Sequence, residues 1–124
     1  MGYYDRKDIS VLEGKILSKI EVSSNKDEII FTEDNGQKYT MYHDQDCCEN
    51  VYIEDICGEL NWLIGTPIIR ATEDSNSDDG SKSEYDESYT WTFYNIATAK
   101  GHVTIRWYGT SNGYYSEDVT FVKL

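Results

Sequence analysis

The sequence predicts a mainly β fold, α+β at most: an antiparallel sheet or small open barrel of about seven strands with one or two short helical turns, in a single domain over residues 1–124. Three observations carry this reading. Aromatic residues are heavy, with 11 Tyr, 3 Trp and 3 Phe against a single Pro, which suits a pleated sheet better than helices. Apolar and polar residues alternate with period two along most of the chain. Turn chemistry recurs between the alternating runs, above all at Asn35-Gly36 and Asn112-Gly113, because such pairs accept the positive φ of tight hairpins.

Residues 8–14 read as one helical turn, capped by Asp8 or Ser10 and ended by Gly14. Residues 16–22 set Ile16, Ser18, Ile20 and Val22 against Leu17, Lys19 and Glu21, the pattern of a half-buried strand. Residues 27–32 form the next strand, and 33–36 turn it into a third at 38–43. After a polar connection at 44–50, residues 51–56 form another strand. Leu60, Leu63 and Ile64 then stand at helical spacing, with Gly65 as the stop and Pro67 just beyond. Residues 67–72 return to extended chain. The segment at about 73–88 is rich in Ser, Asp, Glu and Asn and has no large aliphatic side chain, so it is expected to be a mobile acidic loop.

The remainder, 89–124, reads as three successive strands at 89–97, 102–108 and 114–122. Alternation assigns Tyr89, Trp91, Phe93, Val103, Ile105, Trp107, Val119 and Phe121 to a core face. The opposite face carries Thr90, Thr92, Tyr94, Thr104, Arg106, Tyr108 and Asp118, and it is the leading candidate for a ligand wall. Tyr94 and Tyr108, with neighbouring Tyr114 and Tyr115, offer rings for stacking, and Arg106 offers a guanidinium for an acidic group. His102 shares that face, and Arg70 is the other arginine placed inside a strand. The plain alternative is a solvated sheet face of good strand formers, with Arg106 paired to Asp118 across the hairpin.

A formal charge of −12 repels nucleic acid and permits a basic protein partner, although solubility alone accounts for it as well. No run approaches the ~18 apolar residues of a membrane span, and the first residues lack the apolar segment of a secretory leader. Three cysteines make no disulfide framework, so they are expected to be free, in a cytoplasmic protein. His43, Cys47, Cys48 and Cys57 are zinc-ligand types, yet adjacent Cys47 and Cys48 tend to point apart and the spacing is poor for a structural site. Asp74, Asn76 and Asp78 begin like a calcium loop, but Asp79 stands where the sharp-turn Gly belongs and Tyr85 where the bidentate Glu belongs. No metal and no cofactor is therefore expected. No carboxylate pair or nucleophile triad at working spacing stands out either, so a non-enzymatic protein is expected.

Three segments together resemble a known family: Met41-Tyr-His-Asp-Gln-Asp-Cys-Cys-Glu49; Val51-Tyr-Ile-Glu-Asp-Ile-Cys-Gly58 running on to Leu63-Ile-Gly-Thr-Pro67; and Val103-Thr-Ile-Arg-Trp-Tyr-Gly-Thr-Ser-Asn-Gly-Tyr-Tyr-Ser116. The family consists of short acidic proteins of tailed phages and prophages, known only as a domain of unknown function. The resemblance implies a phage origin and brings no catalytic or binding residues.

Two functions are expected from this reading. In the first, a phage accessory protein with an anti-defence role sequesters a small nucleotide-derived signal in the host cytoplasm, using an aromatic pocket with Arg106 or Arg70 at the acidic group. A second subunit is one way to complete that pocket, so a homo-oligomer stays open. In the second, an acidic inhibitor occupies a basic surface of a host protein in the manner of a nucleic-acid mimic. Seven of the 23 acidic residues fall at 73–87, and a mobile loop would lose entropy on docking, which favours the first.

Overall fold

A computed structural model describes residues 5–45, 48–78, 88–111 and 117–124. It contains nine strands: β1 (Asp5–Arg6), β2 (Leu17–Val22), β3 (Glu28–Glu33), β4 (Lys38–Tyr42), β5 (Asn50–Cys57), β6 (Arg70–Asp78), β7 (Ser88–Thr98), β8 (Gly101–Ser111) and β9 (Thr120–Lys123). They form two antiparallel sheets, ordered β1-β9-β4-β3-β2 and β5-β8-β7-β6, without a closed barrel. The only helical pieces among the described residues are 3-10 turns at Ile9–Leu12 and Leu60–Leu63.

Local chemistry explains the connections. Asp8 caps the first turn by accepting from the Ser10 amide, and Gly14 leaves it at φ +84°. Asn35 Oδ1 accepts from the Gln37 amide while Gly36 takes φ +92°, which folds β3 back onto β4. Gly65, at φ +89°, ends the second turn. Ala99 and Lys100 form the two-residue loop of the β7–β8 hairpin, whose register pairs Thr98 with Gly101.

The two sheets share one core. Phe31, Tyr39, Met41 and Phe121 face it from the five-stranded sheet, and Ile53, Tyr94, Ile96, Ile105 and Trp107 from the other. Trp107 Nε1 donates to Met41 Sδ at 3.2 Å across the gap, so the largest buried ring finds a partner for its polar atom. Tyr39 and Phe121 stack with centroids 5.6 Å apart.

Three expectations need correction. The last strand does not continue the β7–β8 meander: β9 pairs with β4 and β1 in the other sheet. The strand preceding the acidic loop is longer than its apolar part, because β6 runs to Asp78 and pairs with β7 along its whole length; residues 79–87 lie outside the described residues. The two faces of β7 are also exchanged. Thr92, Tyr94, Ile96 and Thr98 are buried, while Trp91 and Phe93 are half-buried and Tyr89 is exposed.

Candidate functional site

The exchange of faces on β7 follows from the hairpin register. With Ala99-Lys100 as the loop, Tyr94 stands opposite Ile105 and Thr92 opposite Trp107, all facing inward. Trp91 then stands opposite Tyr108, and Phe93 opposite Arg106, on the outer face. β5 brings Tyr52 opposite Tyr108 and Asp55 opposite Arg106. The outer surface of this sheet is thus an aromatic platform of Tyr52, Tyr108, Trp91, Tyr89 and Phe93.

Tyr108 is its centre. Its ring lies 4.4 Å from Trp91, 6.1 Å edge-on from Tyr52 and 6.3 Å from Tyr89, centroid to centroid. The Arg106 guanidinium stands over Trp91, 5.3 Å from the ring centroid, within cation–π range. The register of β5 shifts between Ile53 and Asp55, which sets Glu54 and Asp55 side by side against Arg106. Arg106 Nε donates to Glu54 Oε2 at 2.7 Å, and Nη2 approaches Asp55 Oδ2 at 3.7 Å. Both sides of the Glu54 pair remain about one-third exposed, at 35% and 33% of the side chain.

The same register decides what became of the expected wall. Arg106 and Tyr108 are on the outer face as predicted, and His102 and Arg70 lie there too, flanking Ala97 across three strands. Tyr94 is not: it is 0% exposed and belongs to the core. Tyr114 and Tyr115 lie outside the described residues. Arg106 pairs with Glu54 and not with Asp118, which sits just before β9, a strand of the other sheet. Trp91, Phe93 and Tyr89 were assigned to the core because bulk and aromaticity argued for it, and Tyr52 was given no face. The hairpin loop length was the signal that could have placed them.

The other clusters sort differently. His43 places Nδ1 2.7 Å from the Asp118 carbonyl and Nε2 2.8 Å from Glu49 Oε2, tying three chain segments together. Both neighbours are oxygen atoms, and the side chains are 4% and 0% exposed, so the ring serves as a buried staple. Cys57 is free and exposed at the opposite end of β5. Cys48 is disulfide-bonded, which corrects the expectation of three free thiols: an odd count does not exclude a bridge. Cys47 lies outside the described residues. Asp74 and Asn76 are strand residues opposite Phe93 and Trp91, so they do not curl round a calcium ion. Among the described residues, no group of three or more His, Cys, Asp or Glu is placed to hold a metal ion, and no helix is long and apolar enough to cross a membrane.

A further buried carboxylate was not anticipated. Glu117, 7% exposed, accepts from Ser88 Oγ, Ser111 Oγ and, at 2.7 Å, Thr90 Oγ1. Gly109 makes room for it, because a Cβ there would lie 3.0 Å from Glu117 Cβ. This cage closes the end of the β7–β8 hairpin from the inside.

Fold and surface together define a two-sheet β protein that presents a ring-stacking platform on one outer face. The chain belongs to the family described as a domain of unknown function, DUF7448, whose match covers residues 10–121. No curated protein and no solved structure matches it.

Proposed function

We propose that this protein is a non-enzymatic binding protein that sequesters a small nucleotide-derived signal, with the outer aromatic face of β5–β8–β7 as its recognition surface. The observation that carries this is the Tyr52–Tyr108–Trp91 cluster, held rigid on three strands with Arg106 over Trp91. A flat heteroaromatic ring extends such a stack without needing a deep cavity, and base–aromatic stacking contributes roughly 1–3 kcal/mol per base. A contiguous aromatic patch on an outer sheet face is also the kind of surface that marks a binding site.

Arg106 enters differently from the sequence reading. Glu54 already neutralises it, so an anionic group reaches it only by displacing that carboxylate. Ring recognition therefore carries more of the affinity than phosphate recognition. Arg70 and His102 lie on the same face around Ala97, four residues along β7 from Phe93, about 13 Å at strand rise. A ligand with a phosphate some distance from its ring spans that interval. The phage, anti-defence and bacterial-cytoplasm setting rests on the sequence resemblance.

The acidic-inhibitor reading keeps one specific support. Glu73 and Asp74 lie in β6, an edge strand, so these charges are pre-ordered and lose less entropy on docking.

The test is calorimetric titration of the purified protein with cyclic dinucleotides and ADP-ribose-type compounds, beside Trp91→Ala. Binding by the wild type that falls at least tenfold in the variant is expected. Absence of binding, or equal binding by both proteins, ends this reading; a stable complex with a basic host protein in its place favours the inhibitor.

A further inference from the structure

The aromatic platform on the outer face of β5–β8–β7 already holds a planar cation. The Arg106 guanidinium stands 5.3 Å from the centroid of the Trp91 ring, and Arg106 is only half-buried, so this position opens to solvent. The contact shows which sign of charge the rings favour. The faces of Trp and Tyr are electron-rich and attract positive charge, and an anionic group gains nothing from them.

The strand register surrounds those rings with carboxylates. Asp55 on β5 stands opposite Arg106, Arg106 opposite Phe93, and Phe93 opposite Asp74 on β6. With Glu54 set beside Asp55 by the register shift, this row holds three carboxylates against one guanidinium. Glu54 and Asp55 share Arg106, whereas Asp74 is exposed and enters no ion pair among the described residues. The neighbouring row of Tyr52, Tyr108 and Trp91 ends on Asn76 and adds no charge. The ring cluster therefore lies beside surplus negative charge.

We infer, resting on the ring stacking proposed for this face, that the ring it selects is a positively charged heteroaromatic, a nucleobase or pyridine alkylated on a ring nitrogen. Such a ring takes the position on Trp91 that the guanidinium now holds. It makes the dispersion contact that any flat ring makes there, and it adds the attraction of the ring faces and of Asp74. A neutral base makes only the first of these. A tetrahedral ammonium carries the charge but covers little of Trp91, and the cluster is spread over three strands as a platform, without the walls of a cage. Arg106 is then an internal competitor: removing it vacates the position on Trp91 and leaves Glu54 and Asp55 as further counter-charges.

The experiment uses probes without phosphate, so that ring charge is the variable. Nicotinamide and adenosine are each set beside their ring-N-methylated cations, with choline as a cation that has no ring, and binding to the full chain is followed by amide NMR shifts at neutral pH and low salt. The methylated rings should bind about fivefold more tightly than their neutral parents and than choline, with shifts at Trp91, Tyr108 and Asp74. Asp74→Asn should weaken the cationic rings about threefold and leave the neutral rings unchanged. Arg106→Ala should tighten the cationic rings several-fold, which a merely structural role for Arg106 would not do. Parent rings that bind as tightly as their methylated forms, with both lost in Trp91→Ala, overturn the charge preference and leave the stacking reading intact. Choline binding as tightly as the cationic rings, or weaker binding of those rings by Arg106→Ala, also overturns the inference. Absence of binding by every probe at millimolar concentration overturns both readings together.

Discussion

Glu54 Oε2 accepts from two nitrogens of Arg106, Nε at 2.7 Å and Nη2 at 2.5 Å, on the face where the guanidinium covers Trp91. The pair is partly exposed, so solvent screens it and its worth in stability is small. Arg106→Ala should lower stability by less than ~1 kcal/mol in a denaturant titration. Its effect on ligands should be larger than its effect on folding. Glu54→Gln removes the competing carboxylate and should strengthen binding of an anionic ring compound several-fold. Unchanged or weaker binding in Glu54→Gln would show that Arg106 does not meet the ligand's acidic group.

Tyr108 and Tyr94 test the assignment of faces. Tyr108→Ala removes the ring at the centre of the outer cluster and should cost ligand affinity by roughly 1–3 kcal/mol while the fold persists. Tyr94→Ala empties part of the core and should destabilise by roughly 3–5 kcal/mol, as large aromatic truncations do. Thermal denaturation and calorimetry on the two variants separate these outcomes. A Tyr94→Ala protein that melts like the wild type would mean the β7 register is wrong.

Where the sequence was legible, local chemistry decided the structure. Asp8, Gly14, Asn35-Gly36 and Gly65 mark turns through their own backbone and side-chain preferences, and the structure has turns at each. The inward phase of Val103, Ile105 and Trp107 was equally plain. On β7 both faces carry aromatics, so hydrophobicity could not choose between Trp91–Phe93 and Tyr94–Ile96. The choice depended on a two-residue loop at 99–100 that fixes cross-strand partners. The transfer of β9 to the other sheet is a long-range pairing without a local signature. For the site, Arg106, Tyr108 and His102 were found on one face from alternation alone, whereas Arg70 was placed only inside a strand and joins that face through the β6–β7 pairing. Glu54 was not, because its approach to Arg106 depends on a register shift in β5.

Glu117 gathers hydroxyls from three places, Ser88 and Thr90 on β7 and Ser111 on β8. Glu117→Ala removes the shared acceptor of these buried and half-buried hydroxyls and should destabilise by about 2–4 kcal/mol, seen as a lower melting temperature. Thr90→Ala removes one donor of the three and should cost about 1 kcal/mol. Gly109→Ala should resemble Glu117→Ala in direction, since its Cβ would press on Glu117 and on Val51 Cγ2 at 3.1 Å. A Glu117→Ala protein as stable as the wild type would show that solvent satisfies these hydroxyls.

Glu73 makes stability depend on pH in a predictable direction. Burial and the neighbouring Asp8 and Asp118 raise its carboxyl above the ordinary value of 4.5, so the folded state holds this proton more tightly than the unfolded chain. Its contribution is therefore fully present below 4.5 and is lost as pH rises through the higher folded value. Glu73→Gln, which cannot ionise, should melt above the wild type at neutral pH. That advantage should disappear in acid, where both side chains are neutral. Equal melting temperatures at neutral pH would mean that Arg6 and solvent compensate the charge.

The acidic segment divides at Asp78, and the two parts should behave differently. Residues 73–78 pair with β7 from Asp78–Tyr89 to Glu73–Tyr94, so β6 supplies backbone hydrogen bonds along one side of the aromatic strand. Replacing 73–78 by Gly and Ser increases unfolded-chain freedom within a paired strand, and should lower the melting temperature clearly. Residues 79–87 contain no large aliphatic side chain, and a short Gly-Ser linker in their place should leave it nearly unchanged, because loop closure depends only weakly on length. The linker variant also loses Asp79, Glu84, Asp86 and Glu87. An inhibitor that works by acidic mimicry should then bind its basic partner less tightly. A protein that recognises a ring over Trp91 and Tyr108 should bind as before. Loss of nucleotide binding in the linker variant, with melting unchanged, would move the ligand site away from the sheet face and into that segment.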